Sequence, residues 1–479
     1  MLAGKTAQRG NFPFLFRQSQ NAVYRVHMIR AFLLLFCFAL PVLAADKPDE
    51  APLHQAIYSN DTARVLQLLD AGADIEVLHS KGWTPLQYAV GFKKEAIVRV
   101  LLKRGADPNQ QGGDYRRKTA MDFLSLYGAQ VTLKPGEKER AIIRMAGMLF
   151  DAGADVNQSS PLALAIGARA HDLVNWLLDH GADVSGDELL VRAAEQRTPL
   201  DVMKRLVEKG AKVNGANFYG GPLARSTYDV EQMKFLVSKG ADINFAHKGG
   251  LSAMEAAADG GHFEAVKYLV GIDAEVDAHD GRAIKRATER GHTAVVDYLA
   301  QHGSSVDFHS AIALGRLDAV QAAIKHNGAL LDDAMPGAYK MNPIHLATRH
   351  GQIDVLKWLL ANGANPNAVL LHDETALHLA VTMGDEAAVR VLLANKADPN
   401  RALIAGMYGF GLRTPLHYAL GIAGFRSLNQ PLEPNVKLVE LLIQNGASVD
   451  VKDESGRTIA ENVRLHGSEE LKRLVLETP

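Results

Sequence analysis

Residues Asn342–Asn367 read NPIHLATRHGQIDVLKWLLANGANPN, and Thr375–Asn400 read TALHLAVTMGDEAAVRVLLANKADPN, so one phrase returns after 33 residues. A segment of that length is too small to bury its own apolar face, and a fixed period near 33 therefore requires copies that stack on one another. The easiest marker to follow is the Gly-Ala-Asp-like triplet that closes each copy. It starts at Gly72, Gly105, Gly153, Gly181, Gly210, Gly240, Asp273, Gly303, Gly328, Gly363, Lys396 and Gly446, which makes twelve units. A thirteenth, partial unit from Arg457 to Pro479 lacks the triplet, as expected of an end copy that puts polar surface where a neighbour is missing.

Each unit carries signals for two short helices. Thr84-Pro85-Leu86 and Thr414-Pro415-Leu416-His417 open the pattern: threonine at the N-cap accepts a bond from an orphan backbone N–H, and proline at the first helical position gives up a donor that had no partner. In the unit at Asn342, Gly351 ends the first helix. Ile353, Leu356 and Leu360 then recur at helical spacing, with Val355 and Leu359 widening the stripe. Gly363 follows, where a left-handed residue ends the second helix and a Cβ would be strained.

The opening phrase stands as TPLHYA at Thr414, NPIHLA at Asn342 and TALHLA at Thr375. On these motifs and their period the chain resembles the ankyrin-repeat family over about residues 50–479. The resemblance implies an all-α solenoid of helix pairs, about twelve repeats plus a C-terminal cap, with β-hairpin fingers along one edge. It also implies a protein-binding surface formed by the fingers and the concave face, rather than an active site. Asp273 and Lys396 depart from the pattern by replacing the closing glycine, and Gly221–Gly240 is a shortened unit. The 479-residue length suits such a stack, because each unit contacts only its neighbours.

The N-terminus is a different kind of sequence. Arg30 precedes the apolar run AFLLLFCFALPVLAA, Ala31–Ala45, and Pro41 stands before the small-residue site Val42-Leu43-Ala44. The run is short for a bilayer span and reads as a secretory signal. Met28-Ile29-Arg30 makes a compact start for it, so Met28 is a candidate first residue. The expected organisation is a signal region at 1–45, a first array at 46–306 and a second array with the cap at 307–479. The break is placed at the short connection Gly303–Asp307, after which FHSAIALGRLDAVQAAI echoes LHQAIYSNDTARVLQLL from Leu53.

Export changes the charge. The signal region holds five basic residues and no acidic one, so its removal leaves 47 basic against 54 acidic residues, a net charge of −7. Nucleic acid is not an expected partner, since phosphate binding needs concentrated positive surface. The only cysteine, Cys37, lies in the signal. A thiol-free mature chain suits an oxidising compartment, and the expectation is a bacterial protein secreted across the inner membrane into the periplasm, with no membrane contact after cleavage.

His54, His345, His378 and His417 share the fourth place of the opening phrase. Equivalent positions of stacked helices lie about 8–10 Å apart, whereas ligands of one zinc ion each come within about 2.1 Å of it; the ankyrin resemblance implies hydrogen bonding between units instead. His262 and His292 recur in Gly-His pairs of the same kind. The sequence has no mature cysteine nucleophile, no G-x-S-x-G, no phosphate-cradling glycine loop and no H-E-x-x-H, and no cofactor or metal is expected. Asp74, Asp107 and Asp155 are spaced by the repeat and read as turn residues.

Function is expected where the chain departs from its own period. Opening to closing residue is 21 in regular units but 34 from Thr119 to Gly153 and 32 from Thr414 to Gly446, insertions placed between the paired helices around 125–140 and 421–435. Closing to next opening residue is 12 in regular units, but 14 from Gly105 to Thr119 and 18 from Lys396 to Thr414. The candidate partner-binding residues on the fingers are Met407, Tyr408, Phe410 and Arg413, with Tyr115, Arg116, Arg117, Phe218 and Tyr219, because aromatic residues, Met and Arg are enriched at interface cores. The reading is a non-catalytic protein-binding scaffold. A secreted effector that binds a host protein is one alternative, and an enzyme with its site in a helix-loop insertion is another.

Overall fold

Helix pairs arise from local punctuation before any packing. The computed structural model describes residues 51–112, 117–127, 137–218, 220–247, 249–335, 340–370, 373–403, 413–421, 434–452 and 456–477. Among them, twenty-six α-helices form thirteen pairs, from Pro52–Tyr58 with Thr62–Asp70 to Ile459–His466 with Glu469–Leu476. Thr84 accepts from the N–H of Gln87 while the Gln87 side chain accepts from Thr84 N–H, and the same reciprocal cap forms at Ser252, Thr375, Thr414 and Thr458. Pro85, Pro222, Pro343 and Pro415 each stand in the first helical turn.

Eleven of the twelve expected closing residues are left-handed, among them Gly72 at φ +87° and Gly363 at φ +96°. Asp273 (φ +60°) and Lys396 (φ +69°) take the same conformation despite their Cβ atoms, so stacking imposes the turn even where glycine is absent. Gly328 is the exception: Asn327 is extended at φ −137° and a 3₁₀ turn, Gly328–Leu331, follows. The insertion after Thr119 is partly helical, because the second helix of that unit, Glu137–Asp151, has 15 residues where regular units have nine. Residues 128–136 and 422–433, the rest of the two insertions, lie outside the described residues, as do the signal region and residues 46–50.

The chain falls into two compact units, Met1–Leu164 and Ala165–Pro479. In the first, the first helices Pro52–Tyr58, Pro85–Gly91 and Ala120–Tyr127 stack in order, and so do the second helices beside them. In the second, the first helices stack from Leu189–Glu195 to Pro415–Ala419, Ala278–Arg290 packing on Phe308–Ala313. The stripe expected in Ile353–Ala361 is buried at Val355, Leu356, Leu359 and Leu360, within a core that runs from Ala311 to Val475.

An asparagine four residues past the closing position fixes the spacing of successive units. Asn367 donates to the carbonyl of Lys396 at 3.1 Å and accepts from the N–H of Asp398 at 2.7 Å. Asn400 does the same with Gly446 and Ser448, Asn214 with Gly240 and Asp242, and, in the first unit, Asn109 with Gly153 and Asp155. The triplet aspartates hold turns: Asp74, Asp107 and Asp155 each accept from the N–H two residues on. No helix among the described residues is long and apolar enough to cross a membrane.

Candidate functional site

The fingers are minimal hairpins. Single antiparallel bridges join Gly112 to Lys118, Val369 to Thr375, Leu403 to Arg413 and Lys452 to Thr458. Two of these hairpins, Gly112–Lys118 and Leu403–Arg413, and the turn at Trp83 are tied back to the stack by the side chain in the fourth place of an opening phrase. His54 Nε2 bonds the carbonyl of Trp83 at 3.2 Å and His378 Nε2 that of Arg413 at 3.2 Å. Gln87 reaches the carbonyls of Gln110 and Lys118, both at 2.8 Å.

At His378 the geometry sets the tautomer. Nε2–H donates to Arg413, so Nδ1 accepts from Thr375 N–H, and both ring nitrogens are committed in the neutral state. Burial holds His54, His350 and His378 at a pKa of about 4 and His345 at about 3. His262 bonds Thr227 Oγ1 and His292 bonds the carbonyl of Asp259, and burial lowers both pKa values. Among the described residues, no three His, Cys, Asp or Glu side chains are grouped to hold a metal ion.

Three of the nine candidate contact residues can be placed. Phe218 stands 68 % exposed on the finger closed by Asn217 and Gly220. Arg117 is exposed at φ +34°, and its carbonyl accepts from Ser159 Oγ at 3.0 Å. Arg413 is half-buried, with its carbonyl anchored by Leu403 N–H and His378. Tyr115, Arg116, Tyr219, Met407, Tyr408 and Phe410 lie outside the described residues. Two further finger side chains are open to solvent, Leu78 at 56 % and Val369 at 42 %.

The outer edge of the first helices carries a second set of side chains. In the first unit this edge carries rings: Tyr88 lies 4.6 Å from Phe92, and the half-exposed Tyr58 lies 5.5 Å from Phe92. In the second it carries arginines beside carboxylates. Arg225 Nε lies 3.2 Å from Glu195, whose Oε1 also accepts from Asn217. Arg286 and Arg290 converge on the buried Asp259 at 3.3 and 3.0 Å. Between Glu275 and Arg282 the finger is replaced by three successive left-handed residues, His279, Asp280 and Gly281, and His279 Nδ1 lies 2.8 Å from the buried Glu255.

The profile of ankyrin repeats (3 copies) matches residues 22–112, 223–308 and 308–403, and that of the single ankyrin repeat matches residues 412–454, together more than half of the chain. The chain belongs to the ankyrin-repeat family. Curated ankyrin-repeat relatives match over short stretches. Mitochondrial disaggregase of Bos taurus is 37 % identical over 92 residues, 19 % of this chain and 13 % of that protein. The 2-5A-dependent ribonuclease of Mus musculus is 42 % identical over 64 residues, 13 % of this chain and 9 % of that protein. Ankyrin repeat, SAM and basic leucine zipper domain-containing protein 1 of Ornithorhynchus anatinus is 28 % identical over 143 residues, 29 % of this chain and 28 % of that protein. The matched stretches thus span less than a third of these relatives. Among solved structures, the ankyrin repeat domain of Bcl-3 aligns with 44 % of this chain and 95 % of its own, at 21 % identity and a TM-score of 0.35.

Proposed function

We propose that this ankyrin array is a non-catalytic scaffold that binds a protein partner through its fingers and the adjoining edge of its first helices, and that it acts after export, in the periplasm of a bacterium. The observation that carries the binding reading is the distribution of exposed apolar side chains. Stacking buries most apolar groups, and of the seven large apolar side chains left exposed among the described residues three, Leu78, Phe218 and Val369, stand on separate fingers, while Tyr58, Phe150, Met383 and Leu465 lie on helices. Apolar and aromatic groups held on rigid hairpins supply contact area at little entropic cost. Export rests on the Arg30–Ala45 signal pattern and on the lack of cysteine after it.

Two measurements test this reading. N-terminal sequencing of the protein from fractionated cells is expected to return Ala45 or Asp46 from the periplasmic fraction; a stable cytoplasmic chain that keeps Ile29–Ala44 defeats export. Capture of a partner by the full chain is expected to fall about tenfold or more when Phe218→Ala is combined with shortening of the 402–411 finger, with helical content retained. Undiminished capture by a folded variant moves the site off the fingers.

A further inference from the structure

The ladder of asparagines that joins successive units lacks its amide at the first rung. Asn109, Asn214, Asn367 and Asn400 each use both halves of the side chain: the oxygen accepts from the N–H two residues past the next closing position, and the nitrogen donates to the carbonyl of that closing residue. Four residues past Gly72, the same place is held by Glu76. Its Oε1 accepts from the N–H of Asp107 at 2.8 Å, so the side chain enters the rung as the amides do. An ionised carboxylate has no hydrogen to offer the second half. Its Oε2 is buried without a hydrogen-bond partner, and among the described residues no hydrogen bond reaches the carbonyl of Gly105, the closing residue that the register sets opposite it.

Asp277 shows how the array accommodates an acid in this place while it stays ionised. The next closing triplet there is Gly303-Ser304-Ser305, and Asp277 accepts from Ser305 N–H at 2.8 Å, Ser305 Oγ at 2.6 Å and Ser304 Oγ at 3.2 Å. These donors, Ser305 foremost, hold the Asp277 carboxyl below its ordinary pKa. The triplet after Glu76 is Gly105-Ala106-Asp107, which supplies no hydroxyl and adds a negative charge. The charged groups that face Glu76 are Asp107 and Asp74, both acidic, while Arg104, beside the closing turn, pairs with Asp70 at 2.5 Å. Burial above all, and then these two carboxylates, push the Glu76 carboxyl above its ordinary pKa against the pull of the Asp107 N–H.

We infer that Glu76 is a proton-operated rung: a proton taken up on Oε2 in acid donates to the carbonyl of Gly105 and completes the join between the first two units, and its loss leaves two acceptors facing one another. Protonated, the carboxyl offers the same pairing of acceptor and donor as the amides of the other rungs. In the unfolded chain a glutamate titrates at about 4.3. The folded chain holds the proton to higher pH, so the bond is present in acid and is lost as pH rises through the folded value. The finger at 77–83 begins at this rung and carries the exposed Leu78, so its base is held more firmly in acid than at neutral pH.

The test is hydrogen exchange by mass spectrometry on the full chain, read at the peptide that holds the Asp107 N–H, for wild type and Glu76→Gln at pH 7.5 and pH 4.5. The substitution supplies the missing donor at every pH. At pH 7.5 the peptide is expected to exchange about tenfold more slowly in the variant, and at pH 4.5 the two proteins are expected to agree within about twofold. The buried histidines are common to both and cancel in the ratio. Should Glu76→Gln melt early, Glu76→Asn restores the residue of the other rungs and is expected to behave in the same way. Equal exchange at pH 7.5 overturns the proposal, because the Gly105 carbonyl would then need no donor. A ratio that is the same at both pH values overturns it as well, because the amide would then act by its shape and not by standing in for the proton. Early melting of both variants at pH 7.5 would show that the turn requires the ionised carboxylate, which is the opposite of the inference.

Discussion

Lys396 and Asp273 show at single residues how far the array dictates local geometry. Both close a unit where most others use glycine, and both are left-handed and exposed. An L-residue in that region costs about 1–2 kcal/mol, part of which glycine's greater freedom in the unfolded chain takes back. Lys396→Gly is therefore expected to raise stability by about 0.5–1 kcal/mol, read as a higher denaturant midpoint at constant slope. A lower midpoint would mean that the lysine side chain holds the turn by contacts that outweigh its strain. Asn367 makes the opposite case. Its amide bridges Lys396 and Asp398 of the next unit, so Asn367→Ala removes two hydrogen bonds and is expected to cost about 1–3 kcal/mol by the same measurement. No cost would show that water replaces the bridge.

At the scale of the element, a helix pair is stable only through its neighbours. Leu356 is fully buried in Ile353–Ala361, whose flank is shared with Leu317–His326 on one side and Glu386–Ala394 on the other. Leu356→Ala is expected to cost about 2–5 kcal/mol, and hydrogen exchange should quicken in both adjacent helices as well as its own. Faster exchange confined to Ile353–Ala361 would contradict cooperative stacking. Caps, buried stripes and closing turns were all legible in the sequence, because each depends on residues a few places apart. The turn at Gly328 was misread for a related reason: a glycine in the right register does not reveal that Asn327 has already left the helix in an extended conformation. Finger lengths could be counted, but which finger residues face outwards depends on the hairpin, and of the nine candidates only Phe218, Arg117 and Arg413 can be placed.

At the scale of the whole array a fourth-place bridge recurs at His54, Gln87 and His378, and the buried histidines of the stack set a pH limit on it. His54, His345, His350 and His378 are buried and neutral, with folded pKa values of about 3 to 4 against 6.5 in the unfolded chain. Above pH 6.5 neither state binds a proton there, and the histidines are neutral to stability. Between pH 6.5 and about 4 the unfolded chain takes up protons that the folded one refuses, so stability falls as pH falls, by up to about 1.4 kcal/mol per pH unit for each such histidine. Gln87 shows what would remove the effect: in the second repeat it makes the equivalent bridges to backbone carbonyls with a side chain that does not titrate. Full-length protein carrying His345→Gln and His378→Gln is therefore expected to match the wild type near pH 7.5 and to exceed it increasingly at pH 6 and 5, with guanidinium midpoints as the readout. Parallel pH profiles for the two proteins would place the acid sensitivity in carboxylates rather than histidines. A variant already weak at pH 7.5 would instead mean that the imidazole ring itself, through its packing, is what these positions require.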